Sequence, residues 1–309
     1  MVALVPRSLL APAHPAGTWR AQWLVKLLRA SARHTAGELA PADARARLER
    51  LSLLAPTPAG VRRRRAELAG MKARVFRPRG VDESRVVLHL HGGGYALCSG
   101  RTHKGILGDL ALATRHEVWA VDYALAPEHP FPRPIEDGVR AFEALVARGV
   151  APERIVLSGD SAGGALAVSV ALSLRDMGRP MPGALVLLSP WVDLGVTGVD
   201  RGEDYLVPDL MARFAEHYLQ GTCPTNPLAS PARADLSGLP PMLVQAGGVE
   251  VLRGQIEDFA RNARSAGTDV RLEVWDNMFH AFHGFPFVVP EAREAFASIG
   301  RWTRARRSW

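Results

Sequence analysis

Short apolar runs alternate with amphipathic stretches along the chain from about residue 67 onward. Several runs are apolar throughout, which is typical of strands buried on both faces of a parallel sheet. The predicted strands are Met71 to Phe76, Val86 to His91, Val118 to Tyr123, Ile155 to Gly159, Ala184 to Ser189, Met242 to Ala246 and Val270 to Val274. The predicted helices are Lys104 to Thr114, Ile135 to Ala147, Ala162 to Arg175, Ile256 to Ala266 and Glu291 to Arg304. This alternation predicts an α/β fold with a mostly parallel sheet and helices on both faces.

Two segments depart from the alternation. Residues 16 to 55 carry apolar positions at helical spacing, and Pro56 and Pro58 end that pattern. Core packing is the ordinary explanation of such a stripe, and a lid over an active site is the functional alternative. The stretch Trp191 to Ala234 holds a predicted helix, Pro208 to Gln220, between loops rich in proline and aspartate. An insertion there would lie above the strand ends, where ligands bind in open α/β sheets.

The composition is that of a soluble globular protein. The 309 residues are 47% hydrophobic and 22% charged, and the formal net charge is +7. The positive charge is nearly all arginine and mostly scattered, without interleaved aromatic residues, which argues against a nucleic-acid partner. Two cysteines without C-x-x-C spacing argue against a disulfide framework or a zinc site. Because no signal peptide and no run of 18 apolar residues is found, we expect a cytoplasmic protein without a membrane partner.

The run Gly159-Asp160-Ser161-Ala162-Gly163 reads G-x-S-x-G where a predicted strand meets a predicted helix. A serine in this context lies on a sharp strand-to-helix turn that pushes its hydroxyl out at the end of a sheet. Short glycine and serine patterns also arise by chance, so a glycine-rich turn with a capping serine stays open as the alternative. Asp160, beside the serine, is expected to pin the turn rather than to react.

A second glycine-rich loop favours the catalytic interpretation. The strand ending at His91 runs straight into Gly92-Gly93-Gly94. Consecutive glycines let backbone N–H groups point inward together, as the oxyanion of an ester's tetrahedral intermediate requires. With the N–H after the nucleophile, this predicts an oxyanion hole made by Gly93, Gly94 and Ala162. The alternative, a phosphate-binding loop, usually needs G-x-G-x-x-G or a following G-K-[ST], and neither is present.

A serine hydroxyl needs a general base, and in hydrolases with this turn the chain order is serine, acid, histidine. Only His280 and His283 follow the region where the acid is expected. His280 lies on a loop just past the strand that starts at Val270, at the same edge as Ser161. His283, three residues further, is the weaker alternative.

The acid is expected after the preceding strand, Met242 to Ala246, and Glu250 falls on that loop. Its role would be to hold the imidazole tautomer and to stabilise the imidazolium. Glu257 and Asp258 are rivals, although both belong to the following predicted helix. A solvated surface glutamate is the other alternative for Glu250.

His89 and His91 are two residues apart on a strand, so their side chains point to the same face. That spacing could suit a metal, but no third ligand is apparent, and we expect neither a metal nor another cofactor. His91 is instead expected to brace the glycine loop at Gly92 through a hydrogen bond.

The substrate pocket is less defined by the sequence, because apolar stripes on helices are more often core than pocket. The residues that could line it are Trp19, Trp23, Trp191, Leu206, Phe214 and Tyr218. No large aromatic lid indicates a long-chain lipase, so short to medium acyl groups are expected.

Together these residues resemble the hormone-sensitive-lipase-like family of α/β-hydrolase carboxylesterases. The resemblance spans from about residue 70 to the C-terminus. It is carried by His91-Gly92-Gly93-Gly94-Tyr95, the run from Asp122 to Pro132, Gly159 to Gly164, Leu188 to Asp193 and Met278 to Phe282.

The resemblance implies an eight-stranded, mostly parallel sheet with a helical cap. The implied division is an N-terminal cap over residues 1–55, a catalytic domain over 56–190 and 235–309, and a cap insertion over 191–234. It also implies Ser161 as nucleophile and His280 as base. Two positions depart from the family pattern, because Glu250 stands where Asp is usual and Ala124 where Arg is common.

The expected function is therefore that of a serine carboxylesterase acting on a small-molecule ester of short to medium acyl chain. A lactone hydrolase or amidase on the same triad is one alternative, and a non-catalytic small-ligand receptor on this scaffold is another. Family members often pair through an edge strand, so the resemblance is compatible with a homodimer.

Overall fold

The computed structural model describes residues 19–38, 40–53, 56–196 and 203–306. In its first helix, side chains are described for residues 20–30. The predicted N-terminal cap therefore lies partly outside the described residues, as do six positions, 197–202, of the predicted cap insertion.

One eight-stranded sheet forms the centre of the molecule, with the strand order β1-β2-β4-β3-β5-β6-β7-β8. The strands are β1 Val61–Leu68, β2 Met71–Pro78, β3 Val86–Leu90, β4 Glu117–Val121, β5 Ile155–Asp160, β6 Ala184–Leu188, β7 Met242–Gly247 and β8 Val270–Trp275. The pairs β1–β2 and β2–β4 are antiparallel, and every pair from β4 through β8 is parallel. The predicted α/β fold with a mostly parallel sheet is confirmed.

The strand missing from the sequence prediction is β1. Its residues Arg62 to Arg65 are all exposed, and only Leu68 is buried. Four consecutive exposed arginines leave no alternation of apolar and polar positions, which is the pattern that marks a half-buried strand.

Helices cover both faces of the sheet. They are α1 Trp19–Glu38, α2 Pro41–Leu51, α3 Lys104–Thr114, α4 Arg133–Ala147, α5 Ala162–Asp176, α6 Pro208–Leu219, α7 Arg253–Ser265 and α8 Pro290–Ala305. Helices α4, α5 and α7 pack into the core on one face, and α3 and α8 pack into a second core on the other. Four helices (α2, α4, α6 and α8) carry proline in their first turn, where its missing N–H costs nothing. None of the described helices is long and apolar enough to cross a membrane.

Parallel pairing brings the chemistry-bearing loops to one edge. Neighbouring strands β3 and β5 align Leu90 with Gly159, so the glycine loop and the serine turn leave the sheet side by side. Strands β7 and β8 end together, with Gly247 opposite Trp275, and their loops carry Glu250 and His280. This edge is where open α/β sheets bind ligands.

The N-terminal helices and the segment after β6 contact these loops. On α1, Ala21 and Val25 pack in one apolar cluster with Phe279. On α2, the Arg45 guanidinium donates to the carbonyl of Ala96 at 2.7 Å, just beyond the glycine loop. The predicted division into cap and catalytic domain stays a prediction.

Candidate active site

Ser161 lies on a strained turn between β5 and α5. Its backbone has φ 53° and ψ −124°, a region that a residue with a side chain enters only when the surroundings hold it there. Its N–H donates to the Leu188 carbonyl at 2.9 Å, and its carbonyl accepts from Trp191 N–H at 3.0 Å. A Cβ at Gly163 would lie 2.1 Å from the Leu90 carbonyl oxygen, so only glycine lets α5 start this close to β3.

Three backbone N–H groups beside this serine have no partner among the described residues. They belong to Gly93, Gly94 and Ala162, and none of them donates a hydrogen bond to a described residue. Ala162 is the first residue of α5, where an N–H has no intrahelical acceptor. Gly93 and Gly94 have φ values of 113° and 61°, a backbone conformation that residues with a side chain rarely adopt. Such donors can stabilise an oxyanion.

His280 contacts the serine directly. Its Nε2 lies 2.9 Å from Ser161 Oγ, within hydrogen-bonding distance. The ring is almost completely buried, at 2% exposure, on the loop that follows β8. In this geometry Nε2 can take the hydroxyl proton when Nδ1 carries the ring hydrogen.

Glu250 approaches the other side of the ring. Its Oε2 lies 3.8 Å from His280 Nδ1, which is too long for a hydrogen bond, so the carboxylate acts on the imidazole through its charge. The same oxygen accepts from Ser189 Oγ at 2.6 Å, and Ser189 Oγ accepts in turn from Ala281 N–H at 3.1 Å. Ser189 thus bridges the acid to the histidine loop.

Ser189 was not among the predicted site residues. It follows β6 directly and has φ 47°, a left-handed conformation that is rare for serine. Its place in the run from Leu188 to Asp193 was the available signal, because that run carried part of the family resemblance.

The charges around His280 decide its protonation. Burial pushes the pKa of His280 down, but Glu250, together with Asp204 and Asp160, outweighs it and leaves the pKa raised. Burial also raises the pKa of Glu250, although His280 and Ser189 partly oppose that shift. These carboxylates therefore stabilise the imidazolium that forms when His280 accepts a proton, against the cost of its burial.

Asp204 is a second carboxylate that the sequence prediction missed. It lies on the segment between β6 and α6, and its Oδ1 accepts from His280 N–H at 3.1 Å and Tyr205 N–H at 2.7 Å. Its Oδ2 accepts from Val251 N–H at 2.9 Å. No motif marks an aspartate that binds only backbone groups, so the sequence offered no signal for it.

The rival side chains lie elsewhere. His283 is buried against Gln245, with Nε2 3.0 Å from its Oε1, and burial lowers the pKa of His283 to about 3. Glu257 accepts from Arg253 at 2.9 Å, and the exposed Asp258 pairs with a neighbouring arginine on α7. The structure thus brings Ser161, His280 and Glu250 together and leaves these three apart from them.

Asp160 ties the serine turn to the glycine loop. Its Oδ1 accepts from Gly92 N–H at 3.0 Å and lies 3.0 Å from His89 Nε2, while its Oδ2 lies 3.2 Å from His103 Nε2. Burial would raise the pKa of Asp160, but His103 and His89 outweigh it and hold the pKa well below its usual value. Burial likewise opposes protonation of His103, yet Asp160 leaves the pKa of His103 raised. A buried ion pair therefore lies behind the loop.

His91 packs beneath the same loop. Its Nδ1 lies 2.8 Å from the Gly92 carbonyl, its ring stacks on Tyr123 at 4.3 Å, and Tyr123 Oη donates to its carbonyl at 2.7 Å. Burial lowers the pKa of His91 to about 3, so the ring is neutral. The part of the chain that the structure describes contains no group of three His, Cys, Asp or Glu arranged to hold a metal.

Two aromatic residues lie over the site, one just before α6 and one within it. A Cβ at Gly94 would fall 2.4 Å from the Phe214 ring, so this ring lies directly against the glycine loop. The Tyr205 ring lies 6.1 Å from that of His280. Phe214 and Tyr205 therefore border the glycine loop and the catalytic histidine.

The other predicted pocket residues have different surroundings. Tyr218 stacks on Tyr95 at 3.8 Å, and Trp191 is buried with its Nε1 bonded to the Asp193 carbonyl. Trp23 is 62% exposed, and Leu206 is buried in the core. The side chain of Trp19 lies outside the described part of the chain.

Comparison with known proteins agrees with the fold. The alpha/beta hydrolase fold family matches residues 87–284, which is more than half of the chain. The chain belongs to this family, and within it to the hormone-sensitive-lipase-like esterases. The family and the enzyme class predicted from the sequence are thereby confirmed.

Several relatives are similar over most of their length. An acetyl-hydrolase of Streptomyces hygroscopicus is 43% identical over 228 residues, which are 72% of this chain and 76% of that protein. An esterase of Acinetobacter venetianus is 34% identical over 291 residues, covering 92% of this chain and 96% of that protein. The crystal structure of an esterase from the bacterial hormone-sensitive lipase family superimposes with a TM-score of 0.88 at 38% identity, covering 95% of this chain and all of that one.

Proposed function

We propose that this chain is a serine carboxylesterase that hydrolyses esters of short to medium acyl chains through an acyl-enzyme intermediate. The observation that carries the proposal is the 2.9 Å contact between Ser161 Oγ and His280 Nε2, beside the unpartnered N–H groups of Gly93, Gly94 and Ala162. A nucleophile, a base and oxyanion donors are the three components that acyl transfer needs.

Acylation begins when Ser161 Oγ attacks the ester carbonyl carbon and forms a C–O bond. The hydroxyl proton passes to His280 Nε2, and the carbonyl oxygen becomes an oxyanion facing Gly93, Gly94 and Ala162. When the intermediate collapses, the bond to the leaving oxygen breaks, and His280 returns its proton to the departing alcohol. The acyl group stays on Ser161.

Deacylation repeats these steps with water. His280 removes a proton from the water as its oxygen attacks the acyl carbon, and the bond to Ser161 Oγ then breaks. Ser161 takes the proton back, and the carboxylic acid leaves. In both halves Glu250 stabilises the imidazolium, which forms only during reaction.

The limit on acyl size comes from the residues over the site. Phe214 lies against Gly94, and Tyr205 lies beside His280. Both belong to the segment that we propose to be the cap insertion, 191–234, which together with an N-terminal cap would cover a catalytic domain of 56–190 and 235–309. A small acyl group fits beneath a phenyl ring that already contacts the oxyanion loop. The acetyl-hydrolase relative from Streptomyces hygroscopicus supports the same size class.

The test is the Ser161→Ala variant on p-nitrophenyl acetate and butyrate. Loss of a triad nucleophile costs on the order of a millionfold in kcat, so turnover should fall to the background rate. Ser265→Ala is the matched control, because Ser265 is exposed on α7 and its loss should leave kcat unchanged. Near-parent hydrolysis by Ser161→Ala would exclude the mechanism.

Substrate class is resolved by comparing matched esters, lactones and anilides. We expect kcat/KM to be highest for the acyclic esters. A preference for the lactone would reassign the substrate while keeping the triad. A parent protein that neither turns over any of them nor reacts with a fluorophosphonate would instead be a ligand-binding protein.

A further inference from the structure

We propose that Asp204 is a positioning residue that holds the loops of His280 and Glu250 together, and that the segment between β6 and α6 thereby completes the catalytic site. The inference rests on the proposed function, because it assigns a part in the same reaction to a residue outside the triad. It concerns alignment, since no contact joins Asp204 to the reacting serine.

The contacts of Asp204 join two separate loops. Oδ1 accepts from the N–H of His280 at 3.1 Å, and Oδ2 accepts from the N–H of Val251, the neighbour of Glu250, at 2.9 Å. The loops follow β8 and β7, and Glu250 Oε2 and His280 Nδ1 face each other at 3.8 Å with no hydrogen bond between them. Their relative position therefore depends on what holds their backbones. One backbone hydrogen bond joins the two loops directly, from Val249 N–H to the Met278 carbonyl at 3.0 Å, and Asp204 adds a second link that reaches His280 itself.

Only a carboxylate fits this arrangement. Both loop contacts are N–H donors, and each approaches a different oxygen of Asp204. An asparagine has a single acceptor oxygen, so its NH₂ group would face one of the two donors. Asp204 is also 4% exposed, so water has little access to replace a lost contact.

The carboxylate also adds charge near the imidazole. His280 is faced by Glu250 from the loop after β7, Asp160 from the serine turn and Asp204 from the segment after β6, and these three favour its protonated form. Two rings without charge also lie near His280. The Tyr205 ring is 6.1 Å away, and the charge of His280 helps to lower the pKa of His283. Removing the charge of Asp204 should therefore lower the pKa of His280.

A contact from α1 fixes Asp204 itself. Arg29 Nη1 donates to the Asp204 carbonyl at 2.6 Å. The backbone of Asp204 is thus tied to the N-terminal helix while its side chain is tied to the catalytic loops. Both proposed cap segments consequently meet the site at this residue.

The test compares Asp204→Asn and Asp204→Glu with the parent. Asp209→Asn is the matched control, because it makes the same chemical change at an exposed position in the first turn of α6. Three quantities are measured at a temperature where every variant is folded by circular dichroism. They are kcat and KM for p-nitrophenyl acetate per fluorophosphonate-titrated site, the pH profile of kcat/KM, and the imidazole pKa of His280 by NMR.

Asp204→Asn should lower kcat by about 10- to 100-fold with little change in KM, as expected when reacting groups are displaced by about 1 Å. Its acid limb should move to lower pH, because His280 loses a neighbouring negative charge. Asp204→Glu keeps the charge and should leave the acid limb where the parent has it. Asp209→Asn should match the parent in every quantity.

Asp204→Asn with the kcat and acid limb of the parent would overturn the inference. So would a loss of activity in Asp204→Asn that leaves the His280 pKa unmoved, because that outcome fits a purely structural role. The NMR titration needs no turnover, so it still decides the question if the parent proves to have no esterase activity. In that case a shifted His280 pKa would support the role of Asp204 while the proposed function failed.

Discussion

Replacing Glu250 tests how the acid reaches the histidine. Glu250→Asp keeps the charge while withdrawing the carboxylate by one methylene. Glu250→Gln keeps the size of the side chain and removes its charge. The two variants therefore distinguish the effect of side-chain length on kcat from the effect of charge.

The magnitudes follow from the 3.8 Å separation of Glu250 Oε2 and His280 Nδ1. At an effective dielectric constant of about 20, two unit charges at that distance attract by about 4.4 kcal/mol. Withdrawal by one C–C bond, about 1.5 Å, lowers the attraction to about 3.1 kcal/mol. The difference corresponds to roughly an eightfold loss of kcat for Glu250→Asp. Loss of the whole attraction and of the tautomer control predicts a fall on the order of 10³- to 10⁴-fold for Glu250→Gln.

The assay is kcat for p-nitrophenyl acetate per titrated active site, together with the pH profile of kcat/KM. Glu250 raises the pKa of His280, so Glu250→Gln should shift the acid limb to lower pH as well as reduce kcat. Asp258→Asn, an exposed change on α7, is the control and should behave as the parent. If kcat of Glu250→Asp equals or exceeds that of the parent, the distance between the carboxylate and His280 does not limit the rate. If kcat of Glu250→Gln stays within tenfold of the parent, Glu250 is not the acid of the triad.

Two further predictions concern the residues around the glycine loop. Phe214→Ala should raise kcat/KM for p-nitrophenyl octanoate relative to acetate by at least about tenfold, since each methylene buried in the opened space contributes about 0.8 kcal/mol. The exposed control Glu216→Ala should leave the chain-length profile unchanged. An unchanged profile in Phe214→Ala would contradict the prediction. Asp160 raises the pKa of His103, so this histidine stabilises the fold below its unfolded pKa of about 6.5, and that contribution is lost as the pH rises through the higher folded pKa. Urea unfolding should therefore show His103→Gln to be most destabilised relative to the parent near about pH 5.5 and less so near about pH 9, and a difference independent of pH would count against the buried ion pair.

Much of the fold could be predicted because burial leaves a mark on the sequence. Strands β3 to β8 are mostly apolar, and nearly all of their residues are buried. The edge strand β1 escaped prediction because Arg62 to Arg65 all face solvent. A local sequence pattern indicates burial, and β1 has little of it.

Some residues of the site could likewise be predicted from the sequence, and others could not. Ser161 and the glycine loop could be predicted because sharp turns and inward-facing N–H groups restrict the residue types. His280 and Glu250 could be located because the topology sends their loops to the edge where Ser161 lies. Asp204 and Ser189 were missed, because both support the site through contacts with loops more than 40 residues away in the chain.

Stoichiometric labelling tests most directly whether Ser161 is the reacting group of this protein. The protein is titrated with a fluorophosphonate while ester hydrolysis is followed, and the modified residue is identified by peptide mass spectrometry. We expect activity to fall in proportion to labelling and to reach zero at one phosphonyl group per chain, with that group on Ser161. Full labelling of Ser161 with hydrolysis retained, or full inactivation with Ser161 unmodified, would contradict it.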